Sequence, residues 1–142
     1  MTLAEQRVSE QWEAFMPRHH QIDYRIGKHF LSVQQYDSGL KIADFNPHVP
    51  FTKWAALEVS EVAAVPEGMQ QLHLPGGQYA VFVHRGPVVE FHKLADFIFR
   101  EWIPNSTFEV DDRPHYEIMG DRYFGPHHPE SEEDVYVPIR PR

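Results

Sequence analysis

Residues 76–102 read GGQYAVFVHRGPVVEFHKLADFIFREW, and this stretch predicts a strand followed directly by a helix. A turn at Pro75-Gly76-Gly77 precedes the apolar and aromatic run from Gln78 to His84, which is typical of a strand. From Val88 to Trp102 the apolar residues recur at helical spacing, which predicts an amphipathic helix that Ile103-Pro104 ends.

The rest of the chain extends this pattern. Val8, Trp12, Phe15 and Met16 predict a first helix over residues 3–16, which Pro17 should end. Five further segments predict strands: residues 29–37, 51–62, 115–119 and 134–139, with a short additional one over 69–74. The order helix, strand, strand, strand, helix, strand, strand predicts an α+β fold, an antiparallel sheet with two helices on one face.

Composition restricts the class of protein. The 142 residues are expected to form one domain, residues 1–142. The net charge of −8 and the lack of a basic patch argue against nucleic-acid binding, and the acidic run at 130–134 predicts a solvated loop. The chain contains no cysteine, no leader-like apolar start and no long apolar stretch, which favours a cytoplasmic protein without membrane contact. Ten histidines invite a metal interpretation, but His19-His20 and His127-His128 lack ligand spacing, so neither metal nor cofactor is expected.

Glu117 is the principal candidate for function. It lies in His115-Tyr116-Glu117-Ile118-Met119, which otherwise reads as a buried strand, and a buried carboxylate needs a partner. A cationic or polar ligand would provide one. The alternatives are an exposed strand glutamate or a structural ion pair with Arg113 or Arg122.

Strand alternation divides the side chains into two sets. One is apolar and should pack under the helices: Leu31, Val33, Leu57, Val59, Val81, Val83, Val135, Val137 and Ile139. The other mixes aromatic and charged residues and resembles a pocket lining: Tyr36, Trp54, Glu58, Phe82, His84, His115, Glu117, Met119 and Tyr136. Glu58 is a second candidate acid. Trp102, at the end of the second helix, is either core or a cavity wall that meets a cation through its ring.

The sequence resembles the GyrI-like effector-binding domains, small-molecule-binding modules of many AraC-type and MerR-type multidrug-sensing regulators. The resemblance is carried by the order and spacing of several pieces: Trp12-x-x-Phe15-Met16-Pro17, Phe51-x-Lys53-Trp54-Ala55-x-x-Glu58-Val59, Pro66-Glu67-Gly68-Met69, Gly77-x-Tyr79-Ala80-Val81-Phe82-x-His84-x-Gly86, Glu101-Trp102-x-Pro104-x-Ser106, Asp112-Arg113-Pro114-x-Tyr116-Glu117 and Val135-Tyr136-Val137-Pro138-Ile139.

The resemblance implies a duplicated β-α-β-β unit with a ligand groove between its halves. Family members bind amphipathic, often cationic, aromatic compounds there; the family's central acid falls on Glu117 and its tryptophan on Trp102. The first strand of the family pattern has no counterpart before the first predicted helix, so it is either missing or supplied by a partner chain. No helix-turn-helix segment is present in the sequence, so DNA regulation by this chain alone is not expected.

Three functions stay open. The leading one is a stand-alone binding protein for small organic molecules, with Glu117 supplying charge and Trp102, Trp54, Tyr36, Phe82 and Met119 supplying apolar walls. The second is a hydrolase of reactive xenobiotics, in which Glu117 would act as general acid and base. The resemblance implies this alternative because some family members hydrolyse such compounds. The third is a protein-interaction module, a homodimer or a domain that binds a gyrase-type or regulator partner.

Overall fold

The computed structural model of this chain describes residues 8–36 and 49–142. Helix α1 spans Val8–Phe15 and continues as a 3₁₀ helix over Met16–Gln21. Helix α2 spans Phe91–Phe97, preceded by a 3₁₀ turn at Val88–Glu90 and continued by a π-helical turn at Ile98–Trp102.

Six strands form one antiparallel sheet. They are β1 (Phe30–Tyr36), β2 (Phe51–Ala56), β3 (Tyr79–Arg85), β4 (Phe108–Val110), β5 (His115–Met119) and β6 (Glu132–Pro141). Their order across the sheet is β2-β1-β5-β6-β3, and the short strand β4 pairs with one end of β6.

The strand order divides into two related halves that meet between β1 and β5. Strand β6 flanks β5 on one side, as β2 flanks β1 on the other, and β3 lies beyond β6. Among the described residues, no strand lies beyond β2 at the corresponding place. The arrangement therefore confirms the α+β fold of two β-α-β-β-like halves, with one edge position unfilled within residues 8–36 and 49–142.

Both helices cover the same face of the sheet. Residues directly opposite each other in antiparallel strands share a face, and the pairs Ser32–Glu117, Glu117–Val135 and Phe82–Val135 place these four side chains together. Helix α2 packs on this face, with Trp102 5.4 Å from Phe82 between ring centroids. Helix α1 does so too, because Trp12 lies 6.0 Å from Phe30, which is opposite Met119 on β5. We call this the helix-covered face.

The core lies between helix α2 and strand β6. Ile98, Ile103, Val135 and Val137 form its buried centre. Ile98 and Ile103 are five residues apart, and they face the same way because the π-helical turn brings the amide of Ile103 to the carbonyl of Ile98, at 2.9 Å. In an α-helix, residues five apart would point about 140° away from each other.

Several predicted elements need correction. Pro17 does end the α-helix, but a proline is tolerated in a first helical turn, so the chain continues as a 3₁₀ helix to Gln21. The strand predicted over 51–62 ends at Ala56, after which the chain makes only an isolated bridge from Val59 to Arg25. No strand forms over 69–74, and β4 was not predicted. Residues 3–7 of the predicted first helix and the predicted turn at 37–39 lie outside the described residues.

The division into two sets of side chains is wrong in part, because sequence alternation does not fix register. Val135, Val137 and Ile139 share the helix-covered face with Glu117, whereas Trp54 pairs with Val33 on the opposite face. The helices therefore cover the mixed face that holds Glu117, and not the face opposite it. Tyr136 also lies on the opposite face, directly across from Tyr116.

Candidate functional site

Glu117 lies at the centre of the sheet, beneath and between the two helices. Strand β5 places it opposite Ser32 on β1 and Val135 on β6, and its residue exposure is 7%. Ser32 is itself buried, and its small side chain leaves room beside the carboxylate. The prediction that Glu117 is buried is therefore confirmed, and the interpretation as an exposed strand glutamate is wrong.

The cation that faces Glu117 is Lys53. Its Nζ atom lies 3.7 Å from Glu117 Oε2, and the two side chains are only 6% and 9% exposed. Neither arginine considered from the sequence fills this role. Arg113 donates to Asp111 at 2.7 Å, and Arg122 pairs with Glu132 and Asp134.

Glu133 brings a second carboxyl group to the site. It lies on β6, opposite His84 and two residues from Val135, so its side chain shares the helix-covered face. Burial and the negative charge of Glu117 raise the pKa of Glu133 to about 8, and the charge of Lys53 opposes this rise. The prediction of a solvated loop at 130–134 is thus wrong for Glu133, because residues 132–134 belong to β6 and their side chains alternate between the faces.

Aromatic residues surround the acidic pair. Burial, followed by the charge of Glu117, raises the pKa of Tyr36 well above its usual value, so its phenol stays protonated. Tyr123, in the loop after β5, has its pKa raised to about 12 by burial and by the charges of Glu133 and Glu117. Burial lowers the pKa of His115 to about 4, so this imidazole, 5.1 Å from the Tyr36 ring, is neutral at physiological pH.

The other predicted residues divide between the two faces. Tyr36, Phe82, Met119 and Trp102 all accompany Glu117 on the helix-covered side, although Trp102 and Phe82 also pack against the core. Trp54 lies on the opposite face and donates its Nε1 hydrogen to Gln35, at 2.7 Å. Glu58 is exposed and pairs with His29 at 3.3 Å, so it does not join Glu117.

Sequence reasoning missed Lys53, Glu133 and Tyr123. Lys53 lies two residues from Phe51 and from Ala55 along β2, so the three side chains share a face. The pairing of β2 with β1, which the sequence does not give, shows that this is the helix-covered face. Glu133 carried no such signal, because it was surrounded by other acidic residues.

One cavity lies at this site, and a second lies mainly on the opposite face of the sheet. The smaller, about 30 Å³, lies between helix α2 and the sheet and is bordered by Tyr36, His115 and Glu117. The larger, about 1270 Å³, lies between the sheet, helix α1 and segment 57–76, and its border includes Trp54, Tyr116 and Lys53. A cavity of the smaller volume holds one or two water molecules, whereas pockets for drug-sized ligands measure several hundred Å³.

The opposite face carries an aromatic cluster. The rings of Tyr116 and Tyr136 stack at 4.7 Å, and Tyr79 meets both edge-on. The guanidinium carbon of Arg113 lies 4.6 Å from the centre of the Tyr79 ring. Arg113 also donates to the carbonyls of Gln78 and Ile139, so this cluster ties the start of β3 to the end of β6.

In the part of the chain that the structure describes, no three His, Asp or Glu side chains are grouped so that they could hold a metal ion. No helix in residues 8–36 and 49–142 combines the length and the apolar character needed to span a bilayer.

The sequence that forms this fold matches a class of small-molecule-binding domains. A family model described as the GyrI-like small molecule binding domain matches residues 3–140, and the chain belongs to this family. Among curated proteins, the Transcriptional regulator BrlR of Pseudomonas aeruginosa is 32% identical over 132 residues, which is 93% of this chain and 46% of that protein. The chain thus spans less than half the length of this relative.

Proposed function

We propose that this domain binds an amphipathic aromatic cation at Glu117. The observation that carries the proposal is the balance of charge at the site. Glu117 and Glu133 face the groove between the helices, and among the described residues Lys53 is the cation that acts on both. The family description, a small molecule binding domain, supports the use of this groove for a ligand.

The charge at the site favours a ligand with one positive charge. With Lys53 protonated and both carboxylates ionised, the site carries one net negative charge. A carboxylate in apolar surroundings is costly unless a cation meets it, and Glu133 avoids this cost by holding a proton up to a pH of about 8. A bound cation would offset the same cost and ionise Glu133.

The walls of the site favour an aromatic ligand. Tyr36, Phe82, Trp102 and Met119 lie on the helix-covered side with Glu117. Aromatic faces attract organic cations, by about 2 kcal/mol when the contact is shielded from water. Because the cavity at Glu117 measures only about 30 Å³, binding requires that the residues around it move apart.

Binding of N-methylacridinium, followed by its fluorescence, tests this function. Neutral acridine, used at a pH of about 8, is the matched probe that lacks the permanent charge. We expect the wild-type protein to prefer the cation, and Glu117→Gln to lose at least about tenfold in affinity for the cation but not for acridine. The control is Glu101→Gln, a change at an exposed position on the last turn of the second helix. Equal binding of the cation by wild type and Glu117→Gln would contradict the proposal.

A second candidate is hydrolysis of a reactive electrophile. The observation that favours it is the proton held by Glu133 near neutral pH, because a carboxyl group that stays protonated at this pH can act as a general acid. Turnover of a cyclopropane-bearing electrophile, lost in both Glu117→Gln and Glu133→Gln, would support it. Binding of such a compound without any product would remove it.

The wider role of the domain is also a proposal. We propose that it acts as an effector-binding unit in the cytoplasm. The support is the similarity to a regulator of which it matches less than half. Co-purification from source cells would test this role: a stoichiometric protein partner, with no melting-temperature shift by aromatic cations, would favour an interaction module instead.

A further inference from the structure

Lys53 reaches Glu117 from β2, a strand that does not pair with the strand of Glu117, β5. Strand β1 separates β2 from β5, and on the helix-covered face Ser32 lies between Ala55 and Glu117. The small side chains of Ser32 and Ala55 leave space for the lysine to extend across β1. The ammonium thus lies in the same groove that the ligand would occupy.

The contact between the two charged groups is loose. A charge-assisted hydrogen bond between an ammonium and a carboxylate measures about 2.7–2.9 Å, whereas Lys53 Nζ lies 3.7 Å from Glu117 Oε2. Both side chains are more than nine-tenths buried, so each has lost most of its hydration. A buried pair that has lost its water without gaining a close hydrogen bond is held weakly.

Lys53 also faces more negative charge than it can compensate. It acts on Glu133 as well as on Glu117. The other titratable groups near Glu133 are His84, opposite it on β3, and Tyr123, whose pKa its charge raises. The charged side chains of the helix above are exposed and contribute no buried cation: Lys93, Asp96, Arg100 and Glu101.

Lys53 lies on β2, which ends the strand order among the described residues. It borders the larger cavity, of about 1270 Å³, while Glu117, its partner, borders the smaller one of about 30 Å³. Movement of the ammonium away from Glu117, toward the edge of the sheet, would free space beside the smaller cavity.

We propose that Lys53 is an internal substitute for the ligand, and that binding is an exchange in which a ligand cation displaces its ammonium from Glu117. This inference rests on the proposed function of the site. The exchange favours aromatic cations with delocalised charge, because they lose little hydration on entering, whereas the released ammonium regains strong hydration. Small, strongly hydrated cations such as alkylammonium ions gain no such advantage.

Removal of the internal cation tests the exchange. We expect Lys53→Met to bind N-methylacridinium at least about tenfold more tightly than wild type, because the ligand no longer competes with the ammonium. Lys93→Met removes the same charge at an exposed position of helix α2 and should leave the affinity unchanged. Acridine should not bind more tightly to Lys53→Met. Unchanged or weaker cation binding by a folded Lys53→Met protein would overturn the proposal.

A second measurement uses the wild-type protein and does not depend on a variant folding. Lys53 is buried and should resist acetylation by acetic anhydride, whereas Lys93, with a side chain 69% exposed, should react. Saturation with N-methylacridinium should increase acetylation of Lys53 and leave Lys93 unchanged, as measured by peptide mass spectrometry. Lys53 that stays protected in the saturated protein would refute the exchange. Failure of the proposed function is distinguishable, because then wild type and Glu117→Gln would bind the cation equally.

Discussion

Replacement of Glu133 by glutamine should stabilise the protein at alkaline pH and leave it unaffected at acidic pH. The folded state holds the proton of Glu133 to a pH of about 8, against an ordinary value of 4.5. Below pH 4.5 the carboxyl is protonated whether the chain is folded or unfolded, so it resembles glutamine. Between these values only the unfolded state loses the proton, and the free energy of unfolding falls as the pH rises.

The size of the effect follows from the same two values. A pKa difference of one corresponds to about 1.4 kcal/mol, so the gap sets an upper limit of about 5 kcal/mol. Glu133 is half-buried, so solvent screening lowers this, and we expect about 2 kcal/mol at a pH of about 8.5. For a chain of this length that corresponds to roughly 7 °C in melting temperature.

Thermal melts followed by circular dichroism, at pH values of about 5 and about 8.5, measure this difference. Glu132→Gln is the matched control: it removes the same charge from the neighbouring position, where the side chain pairs with Arg122. Its effect should be small and of similar size at both pH values. A Glu133→Gln protein that differs from wild type equally at both pH values would show that Glu133 does not carry a raised pKa.

Three further predictions address the backbone, the core and the buried imidazole. Gly77 has a φ of 150°, and an added Cβ would lie 2.6 Å from Arg113 Cζ. Gly77→Ala should therefore lower the free energy of unfolding, measured with denaturant, by about 2–3 kcal/mol. Gly76→Ala, with open space around it, should change the free energy of unfolding by less than about 0.5 kcal/mol. Ile103 is fully buried, and Ile103→Ala should lower the free energy of unfolding by about 3–4 kcal/mol in the same assay, with a loss under about 1 kcal/mol contradicting its place in the core. Because the folded pKa of His115 is about 4, its imidazole should stay neutral at pH 5.5–6 while the unfolded state takes up a proton, so stability falls as the pH drops from about 6.5 to 4. Long-range nitrogen–proton NMR spectra would show this, and protonation of His115 near pH 6.5 would refute it.

The elements that could be predicted were those whose signal is local. The helical spacing from Val88 to Trp102 identified a continuous helical segment, and the strand at 115–119 was placed with its observed bounds. Sequence spacing did not reveal the π-helical turn, because its cause is the packing of Ile98 and Ile103 on β6. The segment 57–62 looked like a strand from alternation alone, but its pairing with the described residues is limited to one bridge, between Val59 and Arg25.

The site could be predicted only in part, because it depends on pairing between distant strands. The sequence pointed to Glu117, and its burial confirms the reasoning that a carboxylate in that strand needs a partner. The partner, Lys53, comes from a strand two places away in the sheet. Alternation within one strand shows which of its residues share a face. It does not show which residues of the neighbouring strand lie on that same face, and for this reason Trp54 was predicted on the wrong face.

The π-helical turn at Ile98–Trp102 has a consequence for how this domain can vary in length. Such a turn is equivalent to an α-helix that has accepted one additional residue. Deletion of the exposed Arg100 should convert it to an α-helix, in which Ile98 and the former Ile103 become four residues apart and still face the core. The aromatic side chains between them would rotate with respect to the groove. Related domains can therefore differ by one residue at this point, keeping their core while presenting a different ring to the ligand.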